Sequence, residues 1–320
     1  PEKIDNKPVT KIGEYAFREY ENLESIEMPS IIEIEKKAFY SCMNLTSVKV
    51  PNVKKICKFA FAECRKLTKI EMPNVIEIEH MAFELCRLKN IEIPNIIKLG
   101  DYALSFSGTF ESIELPNITE IGKGLLRGCD DLKRIEIPKV TKLGDYAFRG
   151  CTGLKRIHLP NVTEIGDYAF GSSFNCCAGL ENIELPNLTK LGEGAFSDCK
   201  DLISAEISNV TKIKKRTFRN CVNLERIEIP NVIKIGCEAF DGCYKLKKIY
   251  LNEKVEIEIS NAMSNRVFSA NTTVYINRIK DKNVLDKHSE KWGAKEIIYL
   301  KPNFLNRIKQ VFKNLFIKNI

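Results

Sequence analysis

The sequence predicts a β-rich solenoid of about eleven coils. Three observations carry that prediction: an Ala-Phe-like pair recurs along most of the chain, two short period-2 runs flank each recurrence, and the residues between them repeat in kind. The second residue of the pair falls at Phe17, Phe39, Phe61, Phe83, Leu104, Leu126, Phe148, Phe170, Phe196, Phe218 and Phe240. The spacing is 22, with one interval of 21 before Leu104 and one of 26 before Phe196. A single unit of this length cannot bury its own apolar face, whereas stacked units share a continuous core.

Each unit contains Val-x-x-Ile, as at Val162 and Ile165, and Leu-x-x-Ile-x-Ile, as at Leu132, Ile135 and Ile137. Alternating runs rich in Ile and Val, closed by Pro, Asn or Gly, read as strands. Stacked strands sit ~4.8 Å apart. The piece between them, such as residues 145–151, is expected to be a helical or 3₁₀ turn with its Ala and Phe inward.

The pattern Leu-x-x-Ile-x-[Ile/Leu]-Pro, followed by Val-Thr-x-Ile-Gly-x-x-Ala-Phe-x-x-Cys, covers roughly residues 4–250 and resembles the BspA-like (type 5) leucine-rich repeats of bacterial and protist proteins. The stretch Asn6-Lys7-Pro8-Val9-Thr10-Lys11-Ile12-Gly13 is similar to the usual first unit of such arrays. The Pro-Asn-Val junction is one residue shorter than the commoner Pro-Ser-x-Val form, which is expected to tighten the turn and leave the architecture unchanged. The resemblance implies a right-handed leucine-rich-repeat superhelix with short parallel strands and 3₁₀ or helical turns over residues 1–250, a C-terminal cap over 251–301, and a terminal α-helix over 302–320. It also implies a protein-interaction or adhesion scaffold at the cell surface or secreted.

Every repeat position becomes a column of stacked side chains. Nine of the twelve cysteines share one column: Cys42, Cys64, Cys86, Cys129, Cys151, Cys177, Cys199, Cys221 and Cys243, with Tyr20 and Ser107 in the other two units. Parallel Cα–Cβ vectors disfavour bridging neighbours, and a straight row offers no tetrahedron for zinc. They read as small buried hydrophobes, reduced and without metal. Cys57, Cys176 and Cys237 lie off the column, and Cys176 sits in the four-residue insertion.

The column inside Val-x-x-Ile reads Lys11, Glu33, Lys55, Glu77, Lys98, Glu120, Lys142 and Glu164, then Lys190, Lys212 and Lys234. Opposite charges on adjacent strands stabilise by ~0.2–1 kcal/mol each. The closing run of three lysines breaks the alternation and marks a basic patch for an anionic partner. The Leu-x-x-Ile-x-Ile strand is expected on the concave side. The residue after its Ile is mostly Glu, and Arg134, Glu136, Arg156 and His158 form the least uniform part of that surface. These two groups are the candidate partner contacts, set against the plainer reading of structural charge ladders.

After residue 250 the repeat decays. Phe268 stands where a further Phe position would fall, Thr272–Ile276 and Ile297–Leu300 read as strands, and a polar helical stretch with Trp292 separates them. Residues 303–318 place Phe304, Ile308, Val311, Phe312 and Leu315 on one helical face, with Arg307, Lys309 and Lys313 outside it. That helix either docks on the cap or makes weak contact with a membrane surface or partner.

Lys and Arg number 50 against 42 Asp and Glu, a net charge of +8 that is too balanced for a dedicated nucleic-acid binder. No apolar run approaches the ~18 residues of a membrane span. The chain begins at Pro1, inside a repeat, as a trimmed chain would. The three histidines, His80, His158 and His288, stand apart from one another and from any nucleophile motif, and no Gly-rich phosphate loop follows a strand. The expectation is therefore a non-enzyme without cofactor, monomeric, binding a protein or other macromolecular ligand. The alternatives are a self-assembling structural subunit and, because the thiols suit a reducing setting, a cytoplasmic location.

Overall fold

A computed structural model describes the chain except at residues 1–2, 5–6, 172–176, 252–253, 259–265, 278–292 and 301–320. The expected terminal helix, Trp292 and Cys176 lie outside the described residues. Elsewhere the chain is a solenoid of short parallel strands, as the repeat predicts.

Two strands recur in each coil. The first ladder runs from Lys11–Ile12 to Glu256–Ile257 and pairs in parallel one repeat apart, with Lys11 against Glu33 and Ile12 against Ile34. Its charged residue points to water and its aliphatic residue into the core: Ile34 and Ile56 are fully buried. The second ladder runs from Ser25–Glu27 to Lys248–Leu251, and in it a polar pair flanks a buried Val or Ile, as Ser47 and Lys49 flank Val48. This alternation is the period-2 run of the sequence placed with one face inward. One antiparallel pair, Lys3–Ile4 with Lys7–Pro8, precedes the array. At the other end Lys248–Leu251, Thr273–Asn277 and Glu296–Leu300 continue in parallel, and Phe268 stacks on Phe240 at 5.7 Å as one more member of the Phe column.

The Ala-Phe piece is neither an α- nor a 3₁₀-helix, which corrects the expectation. Only alternate N–H groups bond locally. Ala38 and Tyr40 donate to Glu35 and Lys37, three residues back, whereas Lys37, Phe39 and Ser41 donate to Lys58, Ala60 and Ala62 of the next coil. A helix satisfies every N–H within itself. Here half of them build a third parallel ladder, which sequence periodicity cannot distinguish from a helical turn because both bury Ala and Phe. Left-handed φ at two positions per coil closes successive type II turns, as at Lys37 (+54°) and Ser41 (+58°). Where Gly194 takes that position, an added Cβ would lie 2.2 Å from Tyr168 Cε1 of the coil before, so a side chain there would require the Tyr168 ring to move.

The core is built of columns. Phe17, Phe39, Phe61 and Phe83 stack face to face at 5.0–5.3 Å, and Phe148 through Phe240 stack again at 5.2–5.5 Å. The nine column cysteines are buried, and each thiol donates to the carbonyl of the Phe or Leu in the preceding coil, as Cys151 Sγ does to Leu126 O at 3.1 Å. Burial pushes the Cys86, Cys129, Cys151 and Cys243 thiols well above their ordinary value. Off the column, burial pushes Cys57 up to about 11, with the Glu79 carboxylate adding to it. Native protein treated with iodoacetamide at pH 8 should therefore label Cys57 and Cys237 slowly and the nine column thiols only after denaturation, read by peptide mass. Rapid native labelling of Cys151 would contradict the packing, since only an exposed thiolate reacts. A last column was not anticipated: the side-chain amides of Asn52, Asn74, Asn95, Asn117, Asn161, Asn187 and Asn209 each donate to the proline carbonyl of the coil before. This explains the Pro-Asn pairing in the repeat.

The strand ladders are interrupted. The first separates between Lys98–Leu99 and Glu120–Ile121, and again between Lys190–Leu191 and Lys212–Ile213. The second lacks strand pairing at residues 90–92 and 156–158, and its strands also separate between Arg226–Glu228 and Lys248–Leu251. The first of these follows the shortened repeat, where Cys86-Arg87-Leu88 replaces the usual Cys-x-x-Leu. The second precedes the insertion. The third ladder is unbroken from Tyr15 to Glu238, each such residue donating to the coil that follows.

Candidate binding surface

Both groups of sequence-predicted contacts lie on exposed positions of the strand faces. Arg134 and Glu136 occupy one second-ladder strand and pair with each other. Arg156 and His158 hold the same columns one coil on and are exposed, and their segment carries no strand pairing. The four residues share one face at the edge of a seam.

Several first-ladder charges pair along the alternation, while Glu120 has no ion pair among the described residues. Lys11 binds Glu33 and Glu35 at 3.2 and 2.6 Å, Lys55 binds Glu77 and Glu79 at 3.6 and 2.8 Å, and Lys98 binds Glu77 at 2.5 Å. The hydrogen bond from Lys98 holds the Glu77 carboxyl below its usual range, and that from Lys190 does the same for Glu164. The basic run is not uniform. Lys190 is bound to Glu164 at 2.5 Å and Lys234 to Glu258 at 2.6 Å, while Lys212 has no ion pair among the described residues. Beside Lys212, the column that holds Gly or Glu in most coils holds Lys214, which reaches Asp167 at 3.4 Å. A groove of about 380 Å³ opens here, lined by Lys142, Lys190, Lys212 and Lys214 with Glu164 and Asp145. A second groove, about 480 Å³, lies at the second-ladder seam between Asn90–Glu92 and Ser112–Glu114. No group of His, Cys, Asp and Glu among the described residues could hold a metal ion, and no described helix is long and apolar enough to cross a membrane.

One buried charge cluster escaped the sequence reading. Glu238, with its side chain 5 % exposed, accepts two hydrogen bonds from Arg216 at 2.9 and 3.1 Å and lies 3.3 Å from Arg219. Burial pushes its carboxyl up, but the Arg216 and Arg219 guanidiniums outweigh that and hold it below the usual range. The signal was present as opposite charges one repeat apart, Arg216 and Glu238, in a column that elsewhere carries Tyr, Lys, Phe, Met or Gly. The turn face beside it carries stacked cations and rings, such as Arg18 over Tyr15 and Tyr40 and Arg149 over Tyr146.

Comparison with known proteins matches the BspA type leucine rich repeat region in six copies, over residues 3–107, 54–176 and 171–283. No curated protein matches. Among solved structures, a leucine-rich cell surface protein from Faecalibacterium prausnitzii is 22% identical, with 93% of this chain and 86% of that chain covered and a TM-score of 0.48. The pneumococcal vaccine antigen PcpA is 18% identical over 94% and 88%, with a TM-score of 0.46. A leucine-rich repeat protein from Eubacterium ventriosum is 20% identical over 79% and 87%, again with a TM-score of 0.46. At these identities and scores the structures add nothing to the assignment, which rests on the repeat.

Proposed function

Since the chain belongs to the BspA-type leucine-rich repeat family, we propose that it is a non-catalytic scaffold that binds a protein or other macromolecular ligand, as an adhesion or interaction module at the cell surface. One observation carries this reading. Carboxylates and lysines of the strand faces recur along the array as charge ladders, and two departures from them, the Lys190–Lys212 step and the Arg156–His158 segment, lie at exposed seams. Solenoids use such extended repeating faces for partners. The Arg134, Glu136, Arg156 and His158 group and the Lys190, Lys212 and Lys234 column are the proposed contacts, with the array acting as a monomer. The C-terminal residues 302–320, with Phe304, Ile308, Val311, Phe312 and Leu315, lie outside the described residues and are proposed as an accessory contact.

The test is capture of cell-surface protein on immobilised chain, with each captured species identified and its affinity measured. Reversing Lys190, Lys212 and Lys234 to Glu together should weaken binding about tenfold or more and flatten its salt dependence, because rim charges act mainly on encounter and specificity. Arg134→Glu with Arg156→Glu should lower affinity separately. Binding indifferent to all five substitutions would remove both faces as contacts.

A further inference from the structure

We propose that the seam between Lys190–Leu191 and Lys212–Ile213 is a binding site for a tetrahedral oxyanion, phosphate or sulfate, of the kind an esterified partner carries. The inference rests on the surface role argued above and names the chemistry that one part of that surface recognises.

The site is built from backbone as well as side chains. In the following coil, Ile233 and Lys234 donate their N–H groups to Thr211 O at 2.9 and 3.3 Å, and Gly236 donates to Ile213 O at 2.8 Å. The equivalent groups one coil earlier are the N–H groups of Thr211, Lys212 and Lys214. They make no backbone hydrogen bond among the described residues, because the ladder is open there. The residues carrying these three donors, which elsewhere hold two coils together, line the groove of about 380 Å³ beside Thr189 and Leu191, the residues of the preceding coil whose carbonyls would accept them in a closed ladder. Converging backbone N–H groups make an anion-binding concavity.

The side chains agree in sign. Of the seven lysines in this column, Lys11, Lys55, Lys98, Lys142, Lys190 and Lys234 each reach a carboxylate, and Lys212 reaches none among the described residues. The groove is lined by four lysines against Glu164 and Asp145, a net excess of positive charge. Nearby carboxylates are already engaged: Glu164 holds Lys190 at 2.5 Å, and Asp167 accepts from the Glu193 N–H at 2.7 Å and from Lys214 at 3.4 Å.

The other first-ladder seam is an internal comparison. Thr119, Glu120 and Gly122 likewise make no backbone hydrogen bond to the coil before them. There the outward residue is Glu120, which would repel an anion. An open seam alone is therefore not the site; an open seam with Lys212 and Lys214 is. An ammonium and several N–H donors around one oxyanion are charge-assisted bonds, about twice as strong as neutral ones.

The experiment is an amide-resolved NMR titration of the whole chain with inorganic phosphate, inorganic sulfate, glucosamine 6-phosphate and glucosamine 6-sulfate. Saturable shifts centred on the amides of Thr211, Lys212 and Lys214 are expected, and the four arms separate phosphate from sulfate and free ion from ester. Lys212→Ala should raise the dissociation constant about tenfold, as loss of one charged hydrogen bond does, while Lys200→Ala, an exposed lysine outside the groove, should leave it unchanged. Shifts spread over all exposed lysines, no saturation, or equal shifts at Thr119 and Gly122 would overturn the proposal. Failure here with macromolecular capture intact would leave the scaffold reading standing. Loss of capture with oxyanion binding intact would do the reverse.

Discussion

Phe61→Ala should destabilise the array by about 3–5 kcal/mol, the cost of removing a fully buried aromatic ring. Phe61 has no exposed surface and is sandwiched between Phe39 at 5.0 Å and Phe83 at 5.3 Å, both nearly parallel to it. Removing it leaves two rings facing a void and forfeits two stacking contacts of about 0.5–1.5 kcal/mol each. Because a solenoid couples only neighbouring units, the loss acts at the interfaces on both sides of one coil. Urea unfolding followed by circular dichroism reads the effect. Phe61→Leu is the control: it also gives up both stacking contacts but fills most of the void, so it should cost less than the Ala variant, since Leu104 and Leu126 already fill the same column and are fully buried. An Ala variant within about 1 kcal/mol of the parent would mean that the column does not hold the coils together.

Glu238→Ala should cost about 3 kcal/mol, the lower end for breaking a buried pair, because Arg216 and Arg219 keep 35 and 32 % of their side-chain surface in water. The same carboxylate gives stability a pH signature. Its folded pKa lies below its unfolded one, so its contribution is complete above the unfolded value, about 4.3, and fades as pH falls through the folded value. Unfolding midpoints of the parent and of Glu238→Gln, measured from pH 7 down to pH 3, should converge toward the acid end. A gap that stays constant over that range would mean that the lost hydrogen bonds matter and the charge does not.

Legibility in the sequence followed the kind of interaction. The strands, the buried Ala and Phe and the buried thiols were readable, because burial imposes residue type at a fixed spacing: Ile34, Phe39 and Cys42 recur as Ile56, Phe61 and Cys64. The alternating charges were readable because they recur at the same fixed spacing on the solvent side of the first ladder. The turn was misread because what separates it from a helix is where alternate N–H groups point, and Phe39 N–H bonding to Ala60 O leaves no trace in side-chain pattern. Glu238 and Arg216 are not legible in the same way, because their opposite charges occur once in the column and carry no period. The seams were invisible for another reason. Lys98 and Glu120 carry attracting charges and yet their strands separate, while Lys212 and Lys234 carry repelling ones and yet stay paired. Charge complementarity does not decide where the ladder opens.

The unbroken third ladder sets how the molecule can flex. Along the turn edge every coil from Tyr15 to Glu238 is tied to the next by backbone bonds, whereas the strand faces are open at intervals. The turn edge is thus a spine of fixed length, and the strand faces are segmented like a hinged strap. Changing the curvature of a strand face at an open seam breaks none of that ladder's own backbone hydrogen bonds, with the companion ladder still paired, whereas changing it elsewhere strains both strand ladders at once. Bending is therefore concentrated at a few joints, two of which, beside Lys212 and beside Arg156, are the places where a partner is expected to sit.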